Sequence, residues 1–180
     1  MKVSQKSAKR YAQALFHFSE EEKKLDAVYH DLQKILQLID ESQEFSAFLQ
    51  NPTIPSEKRR SILKEIFEKK LEPITYHFIL FLEKKNRLAF LKGIYKTFEQ
   101  LYFDAKGILR VTLTSRWELT AAEIQHISHY LKERFHKDIL PQAKVDPAIL
   151  GGIKIQISDL IYDFSLQTQL KKFQQNVFNI

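Results

Sequence analysis

Residues Lys106-Gly107-Ile108-Leu109-Arg110-Val111-Thr112-Leu113-Thr114 mark a change of period in the chain. From Leu109 onward apolar and polar side chains alternate, the two-residue repeat of a strand with one buried face. Before Gly107 the apolar residues recur every three or four positions, the repeat of an amphipathic helix. The boundary therefore falls between Asp104 and Gly107, and separates residues 1–105 from residues 106–180. The fold expected is mainly α, with an N-terminal six-helix bundle followed by a small α/β C-terminal domain.

Upstream of the boundary, Gly93 is the only glycine. A first helix covers about Ser4 to Phe18. Ser19-Glu20-Glu21-Glu22 reads as a capping box that opens a second helix, whose stripe is Leu25, Val28, Tyr29, Leu32, Ile35, Leu36 and Ile39. A short third helix lies around Phe45 to Leu49. The prolines of Asn51-Pro52-Thr53-Ile54-Pro55 then break the chain, because each disfavours helix in the residue before it. A fourth helix carries Ile62, Leu63, Ile66 and Phe67, and Pro73 suits the first turn of a fifth. The sixth runs through Leu88, Leu91, Ile94, Tyr95, Phe98, Leu101 and Tyr102.

The first and fifth helices are more apolar than a bundle needs. The first places Ala8, Ala12 and Leu15 on one line and Tyr11, Ala14 and Phe18 on an adjoining one, while the fifth is apolar nearly all round from Ile74 to Leu82. A helix of that kind is either central in its domain or covered by something else. The second alternative makes the two helices a groove for a partner's amphipathic helix.

Downstream of Thr114, Thr120-Ala121-Ala122-Glu123 is another capping box, opening a helix with Ile124, Ile127 and Leu131. A short strand is expected near Ala143 to Val145. Gly151-Gly152 leads into alternating Ile153, Ile155 and Ile157, and Ser158-Asp159 turns the chain into Leu160-Ile161-Tyr162-Asp163 to make a hairpin. A final helix with the stripe Leu166, Leu170, Phe173 and Val177 packs on the sheet or reaches outward.

The 180 residues carry a net charge of +6 with a pI near 9.3. That charge admits an acidic partner, lipid headgroups or nucleic acid. The basic residues are interleaved with acidic ones, as in Glu57-Lys58-Arg59-Arg60 and Lys64-Glu65, which disfavours a nucleic-acid interface. A basic helical adaptor for nucleic acid is the alternative reading. With no cysteine there are no disulfides, thiolate nucleophiles or Cys-based zinc sites. The densest apolar run, Phe78-Ile79-Leu80-Phe81-Leu82, is far short of a membrane span. The opening residues lack the apolar core of a signal peptide, so a mature protein without a presequence is expected.

Sites of chemistry are not legible. Phosphate-binding loops of the GxxxxGK or GxGxxG type and a nucleophile elbow are missing. His126 and His129 share a helix face, but neither an HExxH motif nor a cysteine accompanies them. Asp146, Asp159 and Asp163 sit at turns or strand ends, where aspartate makes local hydrogen bonds. No catalytic residue, cofactor site, metal site or small-molecule substrate is expected.

Five segments carry a resemblance. Ala8-Lys9-Arg10-Tyr11-Ala12-Gln13-Ala14-Leu15-Phe16 resembles the opening motif of the F-type ATP synthase delta family, known in mitochondria as the oligomycin-sensitivity-conferring protein. Asn51-Pro52-Thr53-Ile54-Pro55 resembles its Asn-Pro-x-Ile-Pro segment, and Asn86-Arg87-Leu88 its Asn-Gly-Arg-Leu, with Asn86 standing in for the glycine. Asp146-Pro147-Ala148-Ile149-Leu150-Gly151-Gly152 and Asp159-Leu160-Ile161-Tyr162-Asp163-Phe164-Ser165 resemble its Asp-x-x-Leu-x-Gly-Gly and Asp-x-x-x-Asp-Gly-Ser. Phe164 and Ser158 replace family glycines, which leaves the detail of the terminal hairpin open.

The resemblance implies a non-catalytic stator subunit of the proton-translocating enzyme. It implies that the bundle binds the N-terminal helices of the alpha subunits and that the C-terminal domain holds the b-type peripheral stalk. Membrane association would come only through the complex, at the cytoplasmic face of a bacterial inner membrane. Helical phase and resemblance together assign the alpha-subunit groove to Tyr11, Ala14, Leu15, Phe18, Phe78, Ile79 and Leu82.

Overall fold

The computed structural model describes residues 2–51, 53–157 and 160–178, and the chain is mainly helical with one four-stranded sheet. It divides into two compact units, Met1–Tyr102 and Phe103–Ile180.

The first unit contains α1 (Lys2–Glu21), α2 (Leu25–Glu41), α3 (Gln43–Gln50), α4 (Ser56–Phe67) and α5 (Pro73–Lys84). A 3-10 turn at Leu88–Phe90 then leads into α6 (Leu91–Ala105). The expected stripes form the core: Ala12, Val28, Leu63, Ile79, Leu82, Ile94 and Phe98 are fully buried. Gly93 has a packing reason, since a Cβ there would sit 3.3 Å from the Cβ of Ala8, so α1 and α6 approach closely at that point.

One expectation at the start of α2 is corrected. Ser19 does not cap α2 but lies inside α1, fully buried, with its hydroxyl donating to the Phe16 carbonyl at 2.8 Å. That is the back-bonding a serine adopts within a helix. The glutamates after it end α1 rather than begin α2. Lys23 takes a φ of 55°, its N–H donates to the Glu20 carbonyl, and the Lys24 N–H donates to the Ser19 carbonyl. This is a Schellman closure made without glycine. α2 follows Lys24 with no side-chain cap.

Asn86 does what a glycine would. Its φ is 53°, and the N–H groups of Asn86 and Arg87 close α5 on the carbonyls of Glu83 and Leu82, each at 2.8 Å. The sixth helix begins later than its apolar pattern, because Leu88 to Phe90 form the 3-10 turn.

In the second unit β1 (Ile108–Ser115) lies at the centre of a sheet with α7 (Ala121–Phe135), β2 (Asp138–Val145), β3 (Ile153–Ile157), β4 (Leu160–Asp163) and α8 (Leu166–Phe178) following in the chain. The strand order is β2-β1-β3-β4, with β1 and β2 parallel and the other two pairs antiparallel. Register places Val111 opposite Ile157 and Leu113 opposite Ile155, and with Leu131 of α7 these four form the buried core. α7 starts with the expected capping box: the Thr120 hydroxyl accepts from the Glu123 N–H and the Glu123 carboxylate accepts from the Thr120 N–H. β2 is longer than the expected Ala143 to Val145. The turn expected at Ser158-Asp159 lies outside the described residues, as does the side chain of Val177.

Candidate interaction surfaces

The residues assigned to the groove on α1 and α5 divide into two sets. Leu15, Ile79 and Leu82 are 3 %, 0 % and 0 % exposed, so they belong to the core of the first unit and present no side-chain surface. Tyr11 and Phe78 are half-buried and Ala14 is exposed, while Phe18 keeps 51 % of its surface open. Phe81 joins the second set. It is 43 % exposed, meets the Tyr11 ring edge-to-face at 6.0 Å and has the Lys85 ammonium over its ring. α5 is therefore both of the things its pattern allowed, with Thr75, Ile79, Leu82 and Glu83 turned inward and Phe81 outward.

Two of the resembling segments meet at a polar cluster beneath α4 and α5. The Glu83 carboxylate is 1 % exposed and accepts from Ser56 Oγ at 2.6 Å and Arg60 Nε at 2.8 Å. Arg59, itself 5 % exposed, donates to the Asn51 carbonyl at 2.5 Å and to Asn86 Oδ1 at 3.3 Å. Asn51 Oδ1 in turn accepts from the N–H and hydroxyl of Thr53. Burial works to raise the Glu83 carboxyl, but the hydrogen bonds from Arg60 and Ser56 and the charges of Arg60 and Arg59 outweigh it and hold the group below its ordinary value.

In the second unit the other two segments meet. Ile149 anchors the loop that begins with Asp146, whose carboxylate accepts from the Ala148 N–H. The Gly151 carbonyl accepts from Leu166 N–H, and the Ile153 carbonyl from Phe164 N–H, both at 2.9 Å. Gly152 takes a φ of 80°. Phe164 is not among the positive-φ residues, so its side chain fits where the family has glycine. Ser165 is 2 % exposed, and its hydroxyl accepts from the Thr168 N–H in the first turn of α8.

Asp163 accepts from the Ser165 N–H at 2.9 Å and pairs with Lys154 at 3.5 Å. The hydrogen bonds from Ser165 chiefly, with Thr168 and the Lys154 charge, overcome burial and bring its carboxyl down to about 2. A depressed carboxylate stabilises the fold above its unfolded pKa of about 3.9 and loses that contribution as pH falls toward the folded value. Carboxyl-carbon NMR should show Asp163 titrating near 2, and Ser165→Ala should move it up. An Asp163 midpoint close to 4 in the wild-type chain would contradict the hydrogen-bonded geometry.

Exposed apolar residues concentrate in the second unit. Leu160, Ile161, Tyr162 and Phe164 stand open on and beside β4, and Leu166, Leu170 and Phe173 form a stripe on α8 that is 49–66 % exposed. Of the two arrangements open to the terminal helix, the exposed stripe is the one observed. Among the described residues, no group of three or more metal-ligating side chains converges, and His129 pairs with exposed Glu133 at 3.4 Å. No described helix is long and apolar enough to cross a membrane.

Comparison with known proteins gives the family that the five motifs resemble. The family model described as ATP synthase delta (OSCP) subunit matches residues 8–177. The chain belongs to the ATP synthase delta (OSCP) family. It is 34 % identical over 171 residues to the ATP synthase subunit delta of Pelobacter propionicus, covering 94 % of this chain and 95 % of that one. It is 33 % identical over 162 residues to that of Acetivibrio thermocellus, covering 89 % and 91 %. A chain in the Toxoplasma gondii mitochondrial ATP synthase hexamer shares its fold with a TM-score of 0.75 at 20 % identity, covering 94 % of this chain and 96 % of that one.

Delta (OSCP) subunits are non-catalytic structural parts of the F-type ATP synthase, and a stator connector is what this delta-family chain is. Sequence reasoning missed Phe81 because α5 is apolar on every side. It missed the Glu83–Arg60 pair because charges in a helix pattern read as solvent-exposed.

Proposed function

We propose that the first unit, acting as a six-helix bundle, binds the N-terminal helix of ATP synthase alpha subunits on the outer faces of α1 and α5. The second unit holds the end of the b-type peripheral stalk, so that the chain keeps the catalytic head from turning with the rotor. The complex places it peripherally at the cytoplasmic face of a bacterial inner membrane. The observation that carries the alpha-subunit reading is the pair of open rings, Phe81 and Phe18, beside half-buried Tyr11 on a domain whose other large apolar residues are mostly buried. Exposed aromatic anchors of that kind dominate the energy of helix-in-groove interfaces. Leu15, Ile79 and Leu82 support that surface from the core and set the spacing of the two helices.

The test is calorimetric titration of the full chain with a peptide matching the alpha-subunit N-terminus of the same organism. Binding at one to one is expected, with weak dependence on salt because the contact is apolar. Phe81→Asp should weaken it about thirtyfold, equivalent to about 2 kcal/mol. Phe78→Asp and Phe18→Asp should act in the same direction. Wild-type affinity in all three variants would remove the α1–α5 surface as the site, and a steep loss of binding with salt would turn the reading toward charge.

A further inference from the structure

We infer that Tyr29 and Tyr102 form an oxidation site, which a one-electron oxidant such as a peroxyl radical converts into a dityrosine bond between α2 and α6. The two rings lie face to face, with centroids 4.1 Å apart and planes 4° from parallel. Aromatic pairs ordinarily settle edge-to-face or offset, with centroids about 4.5–7 Å apart. This pair is closer and flatter than that, which is the approach two phenoxyl rings need in order to join. Tyr95 stacks more loosely on Tyr29, at 6.4 Å and 19°.

Bases stand ready for the protons. Tyr102 Oη donates to Asp26 Oδ1 at 2.8 Å, and Tyr95 Oη donates to Glu99 Oε1 at 2.5 Å. The Tyr29 hydroxyl accepts from Gln33 Nε2 at 3.3 Å and is in hydrogen-bonding contact with that of Tyr95. Burial first, and then the hydrogen bond to the Asp26 carboxylate, push Tyr102 up to about 12, so at neutral pH it is a protonated phenol. Such a group gives up an electron as its proton leaves, and Asp26 takes that proton along a hydrogen bond already made. Oxidant reaches the stack from the side of half-buried Tyr95, which with His30 and Gln33 lines an open depression of about 790 Å³.

One oxidant takes an electron from Tyr102 while its proton passes to Asp26. A second takes an electron from Tyr95 while its proton passes to Glu99, and Tyr95 is restored by the hydrogen atom of the Tyr29 hydroxyl. The radicals on Tyr29 and Tyr102 couple through one Cε of each ring, and the hydrogens on those carbons move to the oxygens. The chain loses two hydrogens, and two peroxyl radicals leave as hydroperoxides once they collect the protons from Asp26 and Glu99. The new bond ties α2 to α6 and leaves the rings of Tyr11, Phe18 and Phe81 unchanged.

The test is oxidation of the dilute full chain by light with ruthenium tris-bipyridine and persulfate, followed by dityrosine fluorescence and by mass spectrometry of the digest. A monomer lighter by two hydrogens is expected, with the Tyr29 and Tyr102 peptides linked in preference to every other tyrosine pair. Tyr102→Phe should abolish that link, while Tyr130→Phe, at an exposed position, should leave it. Asp26→Asn, folded by circular dichroism, should slow formation of the link roughly tenfold, and Asp26→Glu should restore it. Links that run mainly through Tyr130 or Tyr162, or oxidation that leaves Tyr29 and Tyr102 unjoined, would overturn the site. A wild-type rate in Asp26→Asn would overturn the proton transfer to Asp26.

Discussion

Glu83→Ala should lower the stability of the first unit by about 2–3 kcal/mol, the cost of removing a buried acceptor whose ion-pair partner Arg60 is half-exposed. The carboxylate is 1 % exposed and receives Ser56 Oγ and Arg60 Nε at 2.6 and 2.8 Å. Without it Arg59, buried and held by the Asn51 carbonyl and Asn86, loses its nearby negative charge. The hydrogen bonds from Arg60 and Ser56 carry most of the loss, and the charge of buried Arg59 adds to it. In a unit of 102 residues each kcal/mol moves the melting temperature by about 4–8 °C, so the drop should reach about 8 °C or more.

The Glu83 effect carries a pH signature. The carboxyl lies below its ordinary value when folded, so its contribution is full above the unfolded pKa of about 4.3 and is lost as pH falls through the folded one. The wild-type advantage over Glu83→Ala should therefore shrink in acid. Glu83→Gln, which keeps an acceptor but no charge, should fall between the two. A melting temperature for Glu83→Ala within a few degrees of wild type at neutral pH would show that the cluster is not a structural clamp.

That cluster also explains what could be read from the sequence and what could not. The segments Asn51-Pro52-Thr53-Ile54-Pro55 and Asn86-Arg87-Leu88 were legible as turns, because proline and a left-handed asparagine are local signals. That they meet on Arg59 is a tertiary fact, and no period records it. The helix stripes were legible wherever one face is apolar, as in α2, and illegible in α5, where apolar residues on all sides hide the difference between Ile79 inside and Phe81 outside. Ser19 misled because Ser-x-x-Glu has two physical uses, a cap outside a helix and a back-bond within it. Only the closure at Lys23, with no glycine to announce it, separates them.

β2 was underestimated for a related reason. It is an edge strand whose residues are largely exposed and which contains Pro141, so it lacks both the alternation and the composition of an interior strand. On the interaction surfaces, exposure was the missing quantity. Seven groove residues were assigned by phase and resemblance together, and burial divides them into Leu15, Ile79 and Leu82 in the core and Tyr11, Ala14, Phe18 and Phe78 nearer the surface. Helical phase finds a face but not which side chains a neighbouring helix already covers.

Gly152→Ala should disrupt the second unit while leaving the first folded. Two independent costs coincide at this residue. Its φ of 80° is a conformation that L side chains rarely adopt, worth about 1–3 kcal/mol for alanine. A Cβ there would also run into the Phe164 carbonyl oxygen and lie 3.0 Å from the Cα of Ser165. These are backbone atoms. They cannot swing aside as a side chain can, because Phe164 N–H is bonded to the Ile153 carbonyl and Leu166 N–H to that of Gly151. Overpacking of this kind adds about 1–3 kcal/mol.

Relief would require the strand-to-helix corner at Phe164–Ser165 to move away from the glycine turn. That motion would break the Asp163–Ser165 hydrogen bond and displace the start of α8. The expected result is a chain whose first unit still melts cooperatively and still binds the alpha-subunit peptide, while stalk binding is lost and Asp163 titrates nearer its ordinary range. Gly151→Ala is the control. A Cβ there meets only the Leu166 side chain, whose far end can turn away, so its cost should be smaller. Equal stability of the two alanine variants would mean that the corner yields easily and that Gly152 is not what fixes the geometry of the α8 surface.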